Sequence, residues 1–207
     1  MSEQEQIAQR PIFAAVLGSD WEQLPPVFLK HYANRPYTRD HVIVHGILNV
    51  ESHGAMNVLK PFYRLLHIVP AVTEAQVPVT VHFESEPDSK AFRFNRQFHF
   101  QHHKPYHFLS RMIPLQGNRL VEMMGWGICW CLRYEWRDHK MLLQHEGYAL
   151  HWFGRFIPIP LDWLIGRGTA CETAVDEDHF DMVVNLDHPL FGHLYRYSGR
   201  FKVIKTA

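Results

Sequence analysis

Hydrophobic and polar residues alternate with a period of two over most of the chain after position 41. This alternation predicts strands, because successive side chains of a strand point to opposite faces of the sheet. Short turn sequences separate many of the segments, which favours antiparallel neighbours. We interpret ten segments as strands: 41–51, 77–84, 91–101, 106–113, 119–124, 128–136, 141–152, 169–175, 179–186 and 194–204.

Three segments have the longer period of helices. Residues 11–17 and 25–34 predict two short helices, with Ser19 and Glu22 spaced as a capping box between them. Residues 56–69 place apolar side chains at i, i+3, i+4 and i+7, with Pro61 in the first turn. We expect 1–36 to form an N-terminal helical brace and 56–69 to form a helix against the sheet.

These elements together predict a mainly β (α+β) fold. The strands of 41–204 should form a strongly curved antiparallel sheet or a closed barrel of about ten strands, with the 56–69 helix packed on it or plugging one end. No repeat, low-complexity stretch or linker divides the chain. We therefore expect a single domain over 1–207.

Composition and charge exclude several classes of function. Hydrophobic residues make up 46% of the chain and aromatic residues 14%, which is typical of a folded globular protein. The 21 Lys and Arg residues balance 21 Asp and Glu residues. A neutral chain has no general attraction to phosphate backbones, so we expect no nucleic-acid partner. The apolar stretch 156–165 is too short for a membrane span and contains Asp162.

The three cysteines, Cys129, Cys131 and Cys171, are too few and odd in number for a disulfide framework. The first six residues also lack the pattern of a secretory signal. Both observations predict a cytoplasmic protein. Cys129 and Cys131 share a strand face, but no further ligands complete a zinc set around them, so we interpret them as packing residues.

Histidine is abundant, with 16 copies. His99, His103 and His107 cluster around Pro105, which predicts a solvated loop, and a transition metal bound there is the alternative. We expect no resident metal or cofactor. The sequence also lacks the Gly-x-Ser-x-Gly, P-loop and His-Glu-x-x-His motifs, so it shows no recognisable catalytic machinery.

One predicted strand places a charge among aromatic rings. Arg96 shares a face of segment 91–101 with four phenylalanines: Phe92, Phe94, Phe98 and Phe100. If that face is the interior, the guanidinium needs a partner, because an isolated buried charge is very costly. Glu122 and Glu172 each lie on an equally apolar strand face, and either could meet Arg96.

Two interpretations of these charges remain open. They form a structural ion pair inside the sheet, or they line a cavity and bind the polar head of a ligand. On the second interpretation the ligand-binding residues are Arg96, Glu122, Glu172, Phe94, Phe98, Trp130 and Tyr134.

A series of spaced motifs resembles a bacterial family of unknown activity, domain of unknown function 4166. The motifs are Leu17-Gly18 with Trp21 and Leu24-Pro25, Phe94-x-Arg96-x-Phe98, Leu120-Val121-Glu122 before Gly125, Ile157-Pro158-Ile159-Pro160, Glu172, and His188-Pro189-Leu190-Phe191-Gly192 leading into Tyr195-Arg196-Tyr197-Ser198-Gly199. The chain departs from the family at Phe94, where tryptophan is frequent, and in the isoleucines beside Pro158, where leucines are usual. Both departures preserve apolar bulk.

The resemblance indicates which residues to consider as a functional site, but the family has no established activity. Members of the family stand alone or are appended to nucleotide-binding oxidoreductase-like domains, which implies a role in holding a substrate or partner for the metabolism of small or lipid-like molecules. The recurrent polar positions of the family correspond to Arg96 and Glu122 here.

The sequence is therefore compatible with three functions. The first is a soluble protein that binds a small apolar or lipid-like ligand inside the sheet, with Arg96 contacting an acidic head group. The second is an enzyme that uses Glu122 or Glu172 as general acid or base. The third is an interaction module that docks on a separate oxidoreductase through 156–163 and 188–191.

Overall fold

The computed structural model describes residues 9–54, 56–66 and 68–206, apart from the side chains at positions 57 and 64–66. Eleven strands lie in the described part of the chain, and all their pairings are antiparallel. They are β1 (His41–Ser52), β2 (Glu74–Ser85), β3 (Phe92–Phe98), β4 (Tyr106–Pro114), β5 (Arg119–Met123), β6 (Ile128–Arg137), β7 (Lys140–Trp152), β8 (Arg155–Ile159), β9 (Arg167–Ala174), β10 (His179–His188) and β11 (Gly192–Lys205).

Ten of these strands close into a barrel. The order of neighbours is β6-β5-β4-β3-β2-β1-β11-β10-β9-β7, and β7 pairs back onto β6. Of the two predicted forms, curved sheet or closed barrel, the barrel is confirmed. The inward faces of the strands carry the alternating apolar residues, so the core lies inside the barrel.

Strand β7 joins the barrel to the extra strand β8. Along one side, β7 pairs with β6 over almost its whole length. On its other side the first four residues, Lys140 to Leu143, pair with β9, while Tyr148 to Trp152 pair with β8. None of the ten predicted strands covers residues 155–159, and the structure places them in β8. Pro158 fits because proline is tolerated in strands at the edge of a sheet.

Two glycines allow β1 and β11 to pack closely. A side chain at Gly199 would overlap the backbone carbonyl of Ile47, and one at Gly46 would meet the ring of Phe201 at 2.5 Å. The register shifts of β1 fall at Ile43/Val44 and between Leu48 and Val50. The ring of Phe201 therefore covers the backbone at Gly46, and neither register shift of β1 falls at this glycine.

The N-terminal helices plug one end of the barrel. They are α1 (Ile12–Leu17), a 3-10 helix (Gly18–Gln23) and α2 (Pro26–His31). Phe13 of α1 lies 5.0 Å, between ring centroids, from Tyr134 of β6, and Phe28 of α2 lies 5.8 Å from Phe180 of β10. No side chain caps the 3-10 helix, so the predicted capping box at Ser19 is wrong. Residues 1–8 of the predicted brace lie outside the described residues.

Helix α3 (Met56–Leu66) lies at the opposite end, between the end of β1 and the start of β2. Met56, Leu59 and Tyr63 are buried, and the Tyr63 hydroxyl donates a hydrogen bond to the carbonyl of Ile165 in the short helix α4 (Asp162–Ile165). Position 67 of the predicted 56–69 helix lies outside the described residues. No helix in the described part of the chain is long and apolar enough to cross a membrane.

Candidate functional site

A buried polar group lies at the centre of the barrel wall formed by β3, β4 and β5. Arg96 is only 7% exposed, and its Nη2 donates hydrogen bonds to Glu122 Oε1 and, at 2.7 Å, to Ser110 Oγ. Ser110 Oγ also donates to Glu122 Oε1 at 2.6 Å. The period of two places all three residues on the inner face of neighbouring strands. Of the two carboxylates considered in the sequence analysis, Arg96 pairs with Glu122.

Two aromatic rings enclose the Arg96 guanidinium. Its central carbon lies 3.9 Å from the ring centroid of Phe94 and 3.7 Å from that of Phe108. A cation over an aromatic face is attracted by the quadrupole of the ring, with an energy of about 0.5–2 kcal/mol. The rings and Glu122 together compensate the desolvation of the charge and hold the guanidinium in one orientation.

Glu172 belongs to a separate polar group on the far side of the interior. The hydroxyl of Tyr32, directly after α2, donates to Glu172 Oε2 at 2.6 Å. His31 Nε2 lies 3.9 Å from Glu172 Oε1. Burial raises the pKa of Glu172 to about 7, and burial lowers the pKa of His31 to about 3. His31 is therefore neutral near pH 7, whereas Glu172 is partly protonated at that pH.

Described residues line two cavities inside the barrel. The first offers about 50 Å³ to the centres of water-sized molecules and is lined by Glu172, His31 and Tyr32 among others. The second offers about 60 Å³ and is lined by Glu122 and Trp130 among others. Arg96, Phe98 and Tyr197 line both cavities. A single water needs roughly 10–15 Å³ of the volume that is available to its centre. Each cavity therefore has room for a few waters or a small group of atoms.

All seven residues named in the sequence analysis line one of these cavities. Phe94, Tyr134 and Glu172 line the first, Glu122 and Trp130 line the second, and Arg96 and Phe98 line both. On the outward face of β6, burial raises the pKa of the Cys129 thiol to about 11. This cysteine is therefore a packing residue.

Several polar atoms around the cavities are buried without a hydrogen-bond partner in the described part of the chain. They are Arg96 Nε, His31 Nδ1 and Tyr195 Oη, all from residues that line a cavity. An unsatisfied buried donor or acceptor costs about 1–3 kcal/mol. The cavities therefore present hydrogen-bonding capacity as well as apolar walls.

A hydrogen-bonded chain holds Trp130 in the wall of the second cavity. The Trp130 indole Nε1 donates to His145 Nδ1 at 2.9 Å, and His145 Nε2 lies 3.0 Å from Asp162 Oδ1. Burial is the main cause that lowers the pKa of His145. No local sequence pattern marks this hydrogen-bonded chain, because its members come from β6, β7 and α4, whose proximity depends on the closed fold.

Large apolar side chains are exposed at the end of the barrel that also carries α3 and α4. This apolar rim consists of residues at the end of β7 and in the segments after β5, β7, β8 and β10: Trp126, Trp152, Phe153, Trp163, Leu190 and Phe191. Part of it falls in the two segments, 156–163 and 188–191, that the sequence analysis selected as a contact surface. By contrast, His99 and His103 are exposed in the loop between β3 and β4, as expected, whereas His107, expected in the same loop, is exposed on strand β4.

The fold and the interior define a class of protein: a closed antiparallel β-barrel of ten strands with a buried Arg-Glu pair between two small cavities. The family model described as "Domain of unknown function (DUF4166)" matches residues 24–201. The chain belongs to this family, as its motifs predicted.

Comparison with solved structures gives a distant similarity. The chain is similar to the protein in "Crystal Structure of Rv2717c from M. tuberculosis", with 10% sequence identity, a TM-score of 0.45, and coverage of 91% of this chain and 99% of that one. No curated protein matches the sequence.

Proposed function

We propose that this protein binds a small apolar or lipid-like molecule inside the barrel, with the Arg96–Glu122 pair as its polar anchor. The observation that carries the proposal is Arg96 Nε, a charged donor that is buried without a hydrogen-bond partner among the described residues. Arg96 also lines both cavities. A carbonyl or carboxylate oxygen beside Nε would satisfy this donor.

The charges around Arg96 restrict the head group of the ligand. Glu122 already neutralises much of the guanidinium charge through Nη2, while Nε is a buried donor that remains available to an acceptor. Tyr195 Oη, in the wall of the second cavity, provides another unpaired polar atom. This arrangement favours a head with one or two oxygens over a multiply charged phosphate.

The cavity volumes restrict the apolar part. Drug-sized ligands occupy pockets of roughly 300–1,000 Å³, far more than either cavity offers as it stands. Because Phe98 and Tyr197 line both cavities, rotation of these two side chains would join them. A short acyl chain or a single aromatic ring is therefore the size of ligand that fits with the least rearrangement.

Native mass spectrometry of freshly purified protein tests for a resident molecule, and titration with decanoate tests for the site. We expect one decanoate per chain, and at least ten-fold weaker binding in Arg96→Met/Glu122→Leu, which removes both charges together. The matched control is Arg111→Met/Glu86→Leu, which removes an ion pair at 2.6 Å outside the cavities. The control should bind decanoate as the wild type does.

Two results would overturn the proposal. One is a clean apo mass together with no saturable binding of decanoate by the wild type. The other is equal decanoate affinity in the wild type and in Arg96→Met/Glu122→Leu, with both proteins folded by circular dichroism.

A second candidate function is acid–base chemistry at Glu172, favoured by a pKa of about 7 in a residue that lines the first cavity. A general acid or base works best when its pKa is near the working pH. A molecule that co-purifies with Glu172→Gln should then be converted when the wild type is added. Glu172→Gln should bind it and leave it unconverted, whereas an unchanged molecule after incubation with the wild type counts against this chemistry.

The apolar rim supports a third candidate, an interaction module for a separate oxidoreductase. Its exposed aromatic side chains are of the kind enriched in protein interfaces. Affinity purification should recover an oxidoreductase with the wild type and lose it with Phe153→Ser/Trp163→Ser. Recovery of no oxidoreductase, or equal recovery with both proteins, would exclude this function.

A further inference from the structure

Three potential metal ligands meet on the outer face of the barrel, away from the interior cavities. His41 lies on β1, and His82 and Glu84 lie on β2. The His41 Nε2 atom is 3.0 Å from His82 Nδ1 and 3.8 Å from Glu84 Oε1. All three side chains are half-buried, and each offers one ligand atom within 4.8 Å of the others.

Strand geometry explains the grouping. β1 and β2 are antiparallel, with His41 opposite Glu84 and Ile43 opposite His82. Residues two apart on a strand share a face, so His82 and Glu84 both lie beside His41 on the outside of the barrel. Both strands are also paired on their other sides, β1 with β11 and β2 with β3, which fixes the backbone that carries the three ligands.

Two of the three ligand-atom separations are close to those of a tetrahedral zinc site. Zinc binds imidazole nitrogen and carboxylate oxygen at about 2.0–2.2 Å, so two ligand atoms of a tetrahedron lie about 3.3–3.6 Å apart. The two measured separations, 3.0 and 3.8 Å, lie on either side of this range. Small side-chain rotations are enough to place one ion between the three atoms.

A neighbouring residue supplies a second, independent observation. Asn95 of β3 is paired in register with His82, and its Oδ1 is buried without a hydrogen-bond partner in the described part of the chain. Directly paired residues on one sheet face have Cβ atoms about 4.5–5.5 Å apart. Asn95 is therefore a neighbour of His82 on the outer face, and its Oδ1 is available to accept a hydrogen bond from a water molecule that completes a three-ligand site.

We propose that His41, His82 and Glu84 bind one Zn²⁺ ion on the outer face of the barrel, with a water molecule as the fourth ligand. Two imidazoles and one carboxylate form a ligand set that zinc accepts with an open fourth position. The site is separate from the Arg96–Glu122 pair, because none of its three ligands lines either interior cavity. It therefore stands whether or not the barrel binds a ligand.

Zinc titration of the full-length protein after treatment with chelator tests the site. We expect one Zn²⁺ per chain with micromolar or tighter affinity, and at least ten-fold weaker binding in His82→Ala and in Glu84→Gln. Co²⁺ used as a probe should give the strong visible absorption of a tetrahedral site in the wild type only.

The matched control is His45→Ala. His45 is the next outward-facing histidine on β1 and is exposed, but it is not one of the three ligands. It should leave zinc affinity and stoichiometry unchanged, which separates the site from binding by other histidines.

One measurement needs no variant: NMR of the imidazole nitrogens of the wild type should show two histidines whose signals shift together on addition of one equivalent of zinc. The proposal is overturned if the wild type binds no zinc at micromolar concentration. It is also overturned if His82→Ala binds zinc as tightly as the wild type, or if zinc shifts no pair of imidazole signals.

Discussion

Replacing Glu172 by glutamine removes a buried carboxyl group whose pKa is raised from 4.5 to about 7 by burial. The folded protein binds this proton more tightly than the unfolded chain does, so protonation favours folding. The carboxyl group thus contributes stability that is fully present below pH 4.5 and is lost as the pH rises through 7. Glutamine has no such titration and still offers an oxygen to the Tyr32 hydroxyl.

The size of the effect follows from the two pKa values. A difference of one pKa unit corresponds to about 1.4 kcal/mol, so a shift from 4.5 to about 7 corresponds to about 3 kcal/mol. Relative to the wild type, Glu172→Gln should therefore gain about 3 kcal/mol in the free energy of unfolding between pH 4 and pH 8.

Urea unfolding of both proteins at a series of pH values measures this difference. His31, whose pKa is lowered to about 3, gives the opposite dependence, because its contribution to stability is lost as the pH falls from 6.5. That contribution is common to both proteins and cancels in the difference.

The control is Glu86→Gln. A side-chain hydrogen bond from Arg111 lowers the pKa of Glu86, so the difference in the free energy of unfolding between this variant and the wild type should change with pH in the opposite direction. A free-energy difference between Glu172→Gln and the wild type that stays constant from pH 4 to pH 8 would refute the reasoning.

Three further predictions concern packing and the buried pair. Glu122→Leu leaves the Arg96 guanidinium buried without its carboxylate and should cost about 3–5 kcal/mol of stability, whereas Arg96→Met/Glu122→Leu should recover most of that loss; equal losses in chemical denaturation would contradict this. Gly199→Ala forces a methyl group against the carbonyl of Ile47 and should cost about 1–3 kcal/mol, so an unchanged melting temperature would contradict the close packing of β1 on β11. Cys129, fully buried with a pKa raised to about 11, should react with iodoacetamide only after unfolding, and mass spectrometry showing rapid alkylation of the folded protein would contradict its burial.

Most strands could be predicted from the sequence because the period of two is a direct consequence of strand geometry. Strand β8 could not, because it is five residues long, contains Pro158, and exists only where β7 extends beyond its pairing with β9. That extension is a property of the assembled barrel. Closure of the sheet is likewise a long-range property, since it depends on the pairing of β1 with β11, which are the first and last strands of the described chain.

The candidate site likewise combines features that the sequence predicts with features that depend on the assembled fold. Strand parity was sufficient to place Arg96 and Glu122 inside, because it decides which face a side chain takes. It could not decide the partners: Ser110 joins the pair from β4, and Tyr32 approaches Glu172 from a segment that follows α2. Neither contact leaves a local pattern. The outer His41–His82–Glu84 group also depends on register, which places His41 opposite Glu84.

The pairing of β1 with β11 has a consequence for biosynthesis. Val44 pairs with Val203, so that side of β1 is covered only after a strand about 150 residues further along the chain has been synthesised. At about 5–20 residues per second, a ribosome needs roughly ten seconds or more to synthesise the intervening 150 or so residues. During that interval the backbone of β1 offers unpaired amides and carbonyls to other nascent chains. Protection by a chaperone should therefore matter most for this protein while translation is still in progress.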